Sequence, residues 1–313
     1  MSDKPVLFVS FRPLERAENL RAIYNAYNGK KAHICTHDWN YWQEVKSGKY
    51  DLMVIDEFPT VTTGKCIMIW HGIQGGKLIG LDQPFPYYKK EQARLMTKII
   101  SAGSGSREFW HSCTGVPMDD ILDYGMPRTD EYIRKRKGDG HTILAGKHSY
   151  LYVPTFRWAT ETPMWKTDWK WIDDHLTDDE LFVYKQHPMC NTSCVRYKHI
   201  IEVGSMEATA PYLYDCDVVI TDYSSVMFDA YLLKKPVVLF EKDPGYTETH
   251  GMYMDYPKEY CSRFARNEEE LLMHLRQAKR LRTAEKRCVE RVADACDGHS
   301  CERICELIEE MKG

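Results

Sequence analysis

Long hydrophobic runs, paired cysteines and an excess of basic charge are all missing from this 313-residue sequence. No apolar stretch approaches the roughly 20 residues that a membrane-spanning helix requires, so any membrane contact is expected to be peripheral. The opening MSDKPVLFVSFRP holds one apolar run, closed by Arg12 and Pro13 and too short for a signal-peptide core, so no secretion is expected. Its 11 cysteines form no C-x-x-C pair, which fits a reducing cytoplasm better than a disulfide framework. CNTSC and CERIC, with no second pair or H-x-x-x-H beside them, read as incidental cysteines and not as zinc ligands. A net charge of −4 with a pI near 6.3 argues against a dedicated nucleic-acid binder. The Gly/Ser segment SAGSGSREFW, residues 101 to 110, lacks the Lys-Ser/Thr of a P-loop and is weak support for nucleotide binding. No D-x-D accompanies Asp222 and Asp229, so a mechanism without metal or cofactor is expected.

What is present is a series of short apolar, β-branched runs: VLFVS, AHICT, LMVID, CIMIW and KIISA up to residue 102. Such runs are the signature of strands buried in a parallel sheet. Between the first two, Leu14, Ala17, Leu20, Ile23 and Tyr27 fall at helical spacing and predict a crossover helix. The pattern pauses at RKRKGDGHT, residues 134 to 142, then resumes as TILAG, LYVPT, LFVYKQ, HIIEV, DVVIT and PVVLF before closing in helices. A linker of that composition places a domain boundary near residue 137. The reading is α/β: two Rossmann-like domains, 1–137 and 138–313, facing a central cleft. Asn267 is placed to cap EEELLMHLRQAKRL, with Glu270 at the capping-box position. The basic RQAKRLRTAEKRCVERV reads first as a solvated helical face, with anionic lipid as the alternative.

In open parallel sheets, ligands bind outside the carboxyl ends of the strands. Four runs end in polar residues: CIMIW at His71-Gly72, LYVPT at Phe156-Arg157, LFVYKQ at His187-Pro188, and DVVI at Thr221-Asp222-Tyr223-Ser224-Ser225. Ser224 or Ser225 can cap the helix VMFDAYLLKK, whose first amides lack intrahelical partners, so this loop is either a plain capped helix or an anion site. His71 precedes the glycine-rich GIQGGKLIG, which allows close backbone approach to a ligand; it is either a general base or a histidine satisfied in a turn. His187 carries the same ambiguity, with donation to a phosphate as its functional reading, since Pro188 turns the chain out of the strand. Arg157 is either structural or a planar fork for a diphosphate.

Taken together and in order, WHGIQGGK, YGMPRTD, YVPTFR, KQHP and TDYSSVMFDAYLLKKPVVLF resemble the motifs of the CDP-glycerol glycerophosphotransferases of bacterial teichoic acid synthesis. The resemblance covers roughly residues 66 to 310. It implies a GT-B-like architecture and transfer of glycerol phosphate from CDP-glycerol to an acceptor hydroxyl, with release of CMP. It implies that His71 is the general base, that His187, also catalytic, holds the diphosphate with Arg157, Ser224 and Ser225, and that Gly72, Thr221 and Asp222 bind substrate. Asp229 matches the acidic residue after the last motif, expected on a ribose or glycerol hydroxyl, and Arg128 and Asp130 match a P-R-x-D segment assigned to substrate. The implied partners are a CDP-alditol donor and a lipid-linked saccharide or polyol-phosphate acceptor, with no nucleic acid, at the cytoplasmic face of a bacterial membrane. GIQGGK departs from the threonine-proline form usual after W-H-G. Glycerol or ribitol, and single addition or polymerisation, stay open. So do two other readings, a nucleotide-sugar glycosyltransferase or epimerase of the same architecture and a catalytically silent module that binds an anionic polymer.

Overall fold

A computed structural model describes residues 3–78, 90–135, 139–140, 144, 146–157, 166–187 and 196–312. The Cys190 and Cys194 of CNTSC, Pro188, most of TILAG and most of the expected linker lie outside them. The chain divides into two compact units, Met1–Ile133 with Arg291–Gly313, and Arg134–Glu290.

The first unit is built on a sheet of β1 (Val6–Ser10), β2 (Lys31–Cys35), β3 (Leu52–Ile55), β4 (Lys65–Ile69), β5 (Lys98–Ser101) and β6 (Ile121–Asp123). Its order is β2-β1-β3-β4-β5-β6, and every pairing is parallel. All residues of β1 and β3 are buried, which is why these strands are continuous apolar runs without alternation. The helices α1 (Glu18–Ala26), α2 (Tyr41–Val45), α3 (Lys90–Ala93), α4 (Ser104–Thr114) and α5 (Thr129–Tyr132) follow in chain order. The predicted crossover helix is α1, preceded by a short 3-10 turn at Leu14–Arg16.

The second unit holds β7 (His148–Tyr152), β8 (Glu180–Lys185), β9 (Ile200–Val203), β10 (Val218–Thr221), β11 (Val237–Phe240) and β12 (Phe264–Ala265). They lie in the order β12-β11-β10-β7-β8-β9, again all parallel. This is the doubly wound arrangement in which the first strand, β7, sits at the centre and the chain reverses direction between β7 and β10. Its helices are α6 (Trp169–His175), α7 (Ala210–Asp215), α8 (Val226–Leu232), α9 (Gly245–His250) and α10 (Glu268–Gln277), with α11 (Thr283–Val292) carrying the chain out. Asn267 caps α10 as expected, accepting the Glu270 amide at 2.8 Å. Glu270 reaches back to the amide of Arg266 at 2.8 Å, one residue earlier than in a standard capping box.

The α/β class with two Rossmann-like units stands, but the domain bounds differ from the expected ones. The first unit ends at Ile133, and the last helix, α12 (Ser300–Lys312), belongs to it and not to the second. The cause is apolar. Ile304, Leu307 and Ile308 of α12 are buried, and the helix packs on α1, α5 and β3.

Candidate active site

In the second unit the sequence-predicted residues converge where the sheet reverses, after β7 and β10. Thr221 donates its hydroxyl to the Val153 carbonyl at 2.6 Å. Asp222 is the hub: Oδ1 accepts the amides of Thr155 and Tyr223, both at 2.7 Å, and Oδ2 accepts Arg157 Nη2 at 3.0 Å. Arg157 also donates Nε to Asp243 at 3.3 Å and Nη1 to the carbonyls of Thr155 and Phe156. Its guanidinium lies 3.8 Å from the Tyr246 ring, which stacks at 4.6 Å on Tyr223. Burial works against the Arg157 charge, but Asp222, Tyr246 and Asp243 override it and hold its pKa above the ordinary arginine value. The Tyr223 hydroxyl donates to Glu241 at 2.9 Å, and burial followed by that carboxylate pushes its pKa far up, so it remains a donor.

This geometry commits Thr221, Asp222 and Arg157 to protein partners. All three are buried and turned onto protein groups, so they form the frame of the loop. Ser224 and Ser225 sit on that frame, half-buried. Ser225 occupies the N-cap of α8 without a side-chain cap, because φ −63 and ψ −11 are helical where a capping hydroxyl needs an extended backbone. Ser224 Oγ accepts the Val226 amide at a long 3.4 Å. Asp229 is buried within α8. His187, two residues past β8 and half-buried, lies ring-to-ring with Phe156 at 5.3 Å, so it reaches the same carboxyl edge.

In the first unit, His71 is exposed two residues beyond β4. Its ring lies 4.3 Å from that of Trp70, which is edge-packed by Phe58 at 5.5 Å and Trp110 at 5.6 Å. The Arg128 guanidinium donates to the His71 carbonyl. Buried Asn19 donates Nδ2 to the Trp70 carbonyl at 2.8 Å and accepts the Arg128 amide on Oδ1 at 3.0 Å. Gly72 is buried. Sequence reasoning missed Asn19, whose only signal is a polar residue beside the apolar stripe of α1.

Asp130 is buried and accepts the Ser300 amide at 3.0 Å and the Cys301 amide at 2.8 Å, so it caps α12. The glycine-rich segments likewise seat protein. Gly75 has φ +134, and a Cβ there would meet Val292 at 2.7 Å. The start of α4, in the Gly/Ser segment, already holds an anion: Asp294 accepts the Ser104 amide at 2.8 Å. Asp56 was also missed. It follows β3 where the first sheet reverses, accepts the Phe11 amide at 2.8 Å, and has its second oxygen buried without a hydrogen bond. Burial pushes its carboxyl up to about 6, against the pull of Phe11 and Arg12.

Among the described residues no group of three His, Cys, Asp or Glu is placed to hold a metal ion, and no helix is long and apolar enough to cross a membrane. Chemically, the first unit presents an exposed imidazole on a rigid support, able to accept a proton. The second presents two hydroxyls and an imidazole at a sheet reversal, able to hold an anion.

Comparison with known proteins gives a consistent set of likenesses. Residues 51–310 match the sequence profile described as CDP-glycerol:poly(glycerophosphate) glycerophosphotransferase. A teichoic acid poly(ribitol-phosphate) polymerase of Bacillus spizizenii is 26% identical over 265 residues, 77% of this chain, and the match spans only 42% of the relative. A teichoic acid glycerol-phosphate transferase of Staphylococcus aureus is 25% identical over 275 residues, covering 77% of this chain and 70% of that one. A solved structure of the wall teichoic acid polymerase TagF superposes with a TM-score of 0.80 at 18% identity, covering 100% of this chain and 90% of that chain. The GT-B-like fold expected from the motifs is thereby the fold of this chain.

Proposed function

Because the chain belongs to the CDP-glycerol:poly(glycerophosphate) glycerophosphotransferase family, we propose that it transfers an alditol phosphate from a CDP-alditol to an acceptor hydroxyl in teichoic acid synthesis, with CDP-glycerol as the first donor. The acceptor oxygen attacks the phosphorus that carries glycerol and forms a new P–O bond. The bond from that phosphorus to the bridging oxygen breaks, and CMP leaves with the electron pair. His71 takes the proton of the acceptor hydroxyl. Charge developing on CMP is met by His187 and by the hydroxyls and amides of Ser224 and Ser225, in a step that uses positioning and electrostatics and no metal. Arg157, Asp222 and Thr221 act by fixing that loop. A lipid-linked saccharide or polyol-phosphate acceptor would bring the protein to the cytoplasmic membrane face.

The observation that carries this reading is the loop at the reversal between β7 and β10. Three of its polar residues are committed to a buried frame, which leaves Ser224 and Ser225 at the carboxyl edge where ligands of such sheets bind. The ribitol-phosphate polymerase among the relatives keeps CDP-ribitol as a second donor. Calorimetric titration of CDP-glycerol, CDP-ribitol and UDP-N-acetylglucosamine into wild type, S224A and S225A tests the site and chooses the donor. Turnover by His71→Ala, with and without EDTA, tests the base and the metal-free step. Tighter binding of the UDP-sugar, or undiminished transfer by H71A, would sink the proposal.

A further inference from the structure

We infer that Asn19 is a positioning residue for His71, a role that rests on the reading of His71 as the proton acceptor. Asn19 is 1% exposed and stands on α1 beside buried Leu20 and Ile23. A buried primary amide needs partners for both ends, and this one spends them on two segments far apart in sequence. Nδ2 holds the Trp70 carbonyl at 2.8 Å, one residue before His71. Oδ1 holds the Arg128 amide at 3.0 Å, in the loop whose guanidinium closes on the His71 carbonyl.

Three hydrogen bonds and one peptide bond close a ring: Asn19 to Trp70, Trp70 through its peptide bond to His71, His71 to Arg128, and Arg128 back to Asn19. Trp70 cannot yield sideways, because Phe58 and Trp110 pack its indole. The His71 imidazole rests on that indole at 4.3 Å. Asn19 therefore fixes the base from behind without reaching the surface on which the base acts. Its amide supplies one donor and one acceptor in a fixed plane. Aspartate keeps the acceptor for Arg128 but, when ionised, has no proton for Trp70, and alanine keeps neither.

The ring current of Trp70 makes the imidazole resonances of His71 a direct gauge of its seat. Asn19→Asp and Asn19→Ala are compared with wild type by NMR of ¹⁵N-histidine-labelled protein, with H71A assigning the signal. In parallel, CMP release from CDP-glycerol is followed with a poly(glycerol phosphate) oligomer as acceptor, and CDP-glycerol affinity is read by calorimetry. The expected result is a displaced His71 signal, CDP-glycerol affinity within about twofold of wild type, and kcat lower by on the order of 10- to 100-fold, the scale of a misplaced catalytic group. An unmoved His71 signal in either folded variant overturns the inference, as does kcat falling only in step with donor affinity and melting temperature. If H71A keeps full turnover, it is the assignment of the base that fails, and the NMR shift still decides whether Asn19 seats this histidine.

Discussion

Replacing Asp222 by asparagine isolates the charge at the centre of the second unit. The amide keeps Oδ1 for Thr155 and Tyr223 but turns an NH₂ towards Arg157 Nη2, now 3.0 Å away with no acceptor between them. Both side chains are 2% exposed, so water does not fill the gap. At an effective dielectric of about 20, unit charges at this spacing attract by roughly 5 kcal/mol before desolvation is counted. Removing one partner of such a pair costs about 3–5 kcal/mol, because the other charge stays buried. Asp243, 3.3 Å from Nε and partly exposed, compensates in part and places D222N near the lower figure, about 3 kcal/mol. Hydrogen exchange at the amides of Thr155 and Tyr223 reads the local loss, and urea unfolding followed by circular dichroism reads the global one. Pairing the variant with Arg157→Met removes the stranded charge, so D222N/R157M should be no less stable than D222N alone. A loss below about 1 kcal/mol in D222N, the level of an ordinary surface pair, would refute the view that Asp222 and Arg157 frame the loop.

Two further substitutions separate structure from function. Asp130→Ala removes the cap of α12 and should cost about 1–2 kcal/mol while leaving CDP-glycerol affinity unchanged in calorimetry; a loss of affinity would return Asp130 to the substrate. Asp56 sets a pH dependence. Its folded carboxyl value of about 6 lies above the unfolded value of about 3.9, so the folded state holds the proton more tightly. That stabilisation is fully present below pH ~4 and is lost as pH rises through ~6. The difference between the folded and unfolded values is worth about 3 kcal/mol. Asp56→Asn should therefore be more stable than wild type at pH 8 in urea unfolding, with the gap closing towards pH 4. A gap that does not change with pH would rule out titration of Asp56 as its source.

The inner strands were the most legible, because both of their faces are covered and β1, β3 and β11 are unbroken buried words such as VLFVS or VVLF. The three residues of β6 and the two of β12 are too short to form one. The position of each polar residue after a strand was equally legible, and it led to the reversal between β7 and β10. Its direction was not: Asp222 and Ser224 are two residues apart, yet one turns into the frame and the other stands at the edge. What settles this is pairing across distance, Arg157 with Asp222 and Asp130 with the amides of Ser300 and Cys301. No local pattern records such pairs. The glycines were silent for the same reason, since nothing local to GIQGGK shows that the side chain facing Gly75 is Val292.

The return of Arg291–Gly313 to the first unit orders the birth of the protein. A ribosome delivers all of Arg134–Glu290 before it releases the helix that covers α1 and β3. Through that interval the later-made unit is whole, while the earlier one waits with an uncovered apolar flank and Asp130 lacks the amides it will cap. Of the two units, the one translated earlier is the last to be finished. A stop before Ser300 would thus wound the earlier unit, and spare the one that lies between.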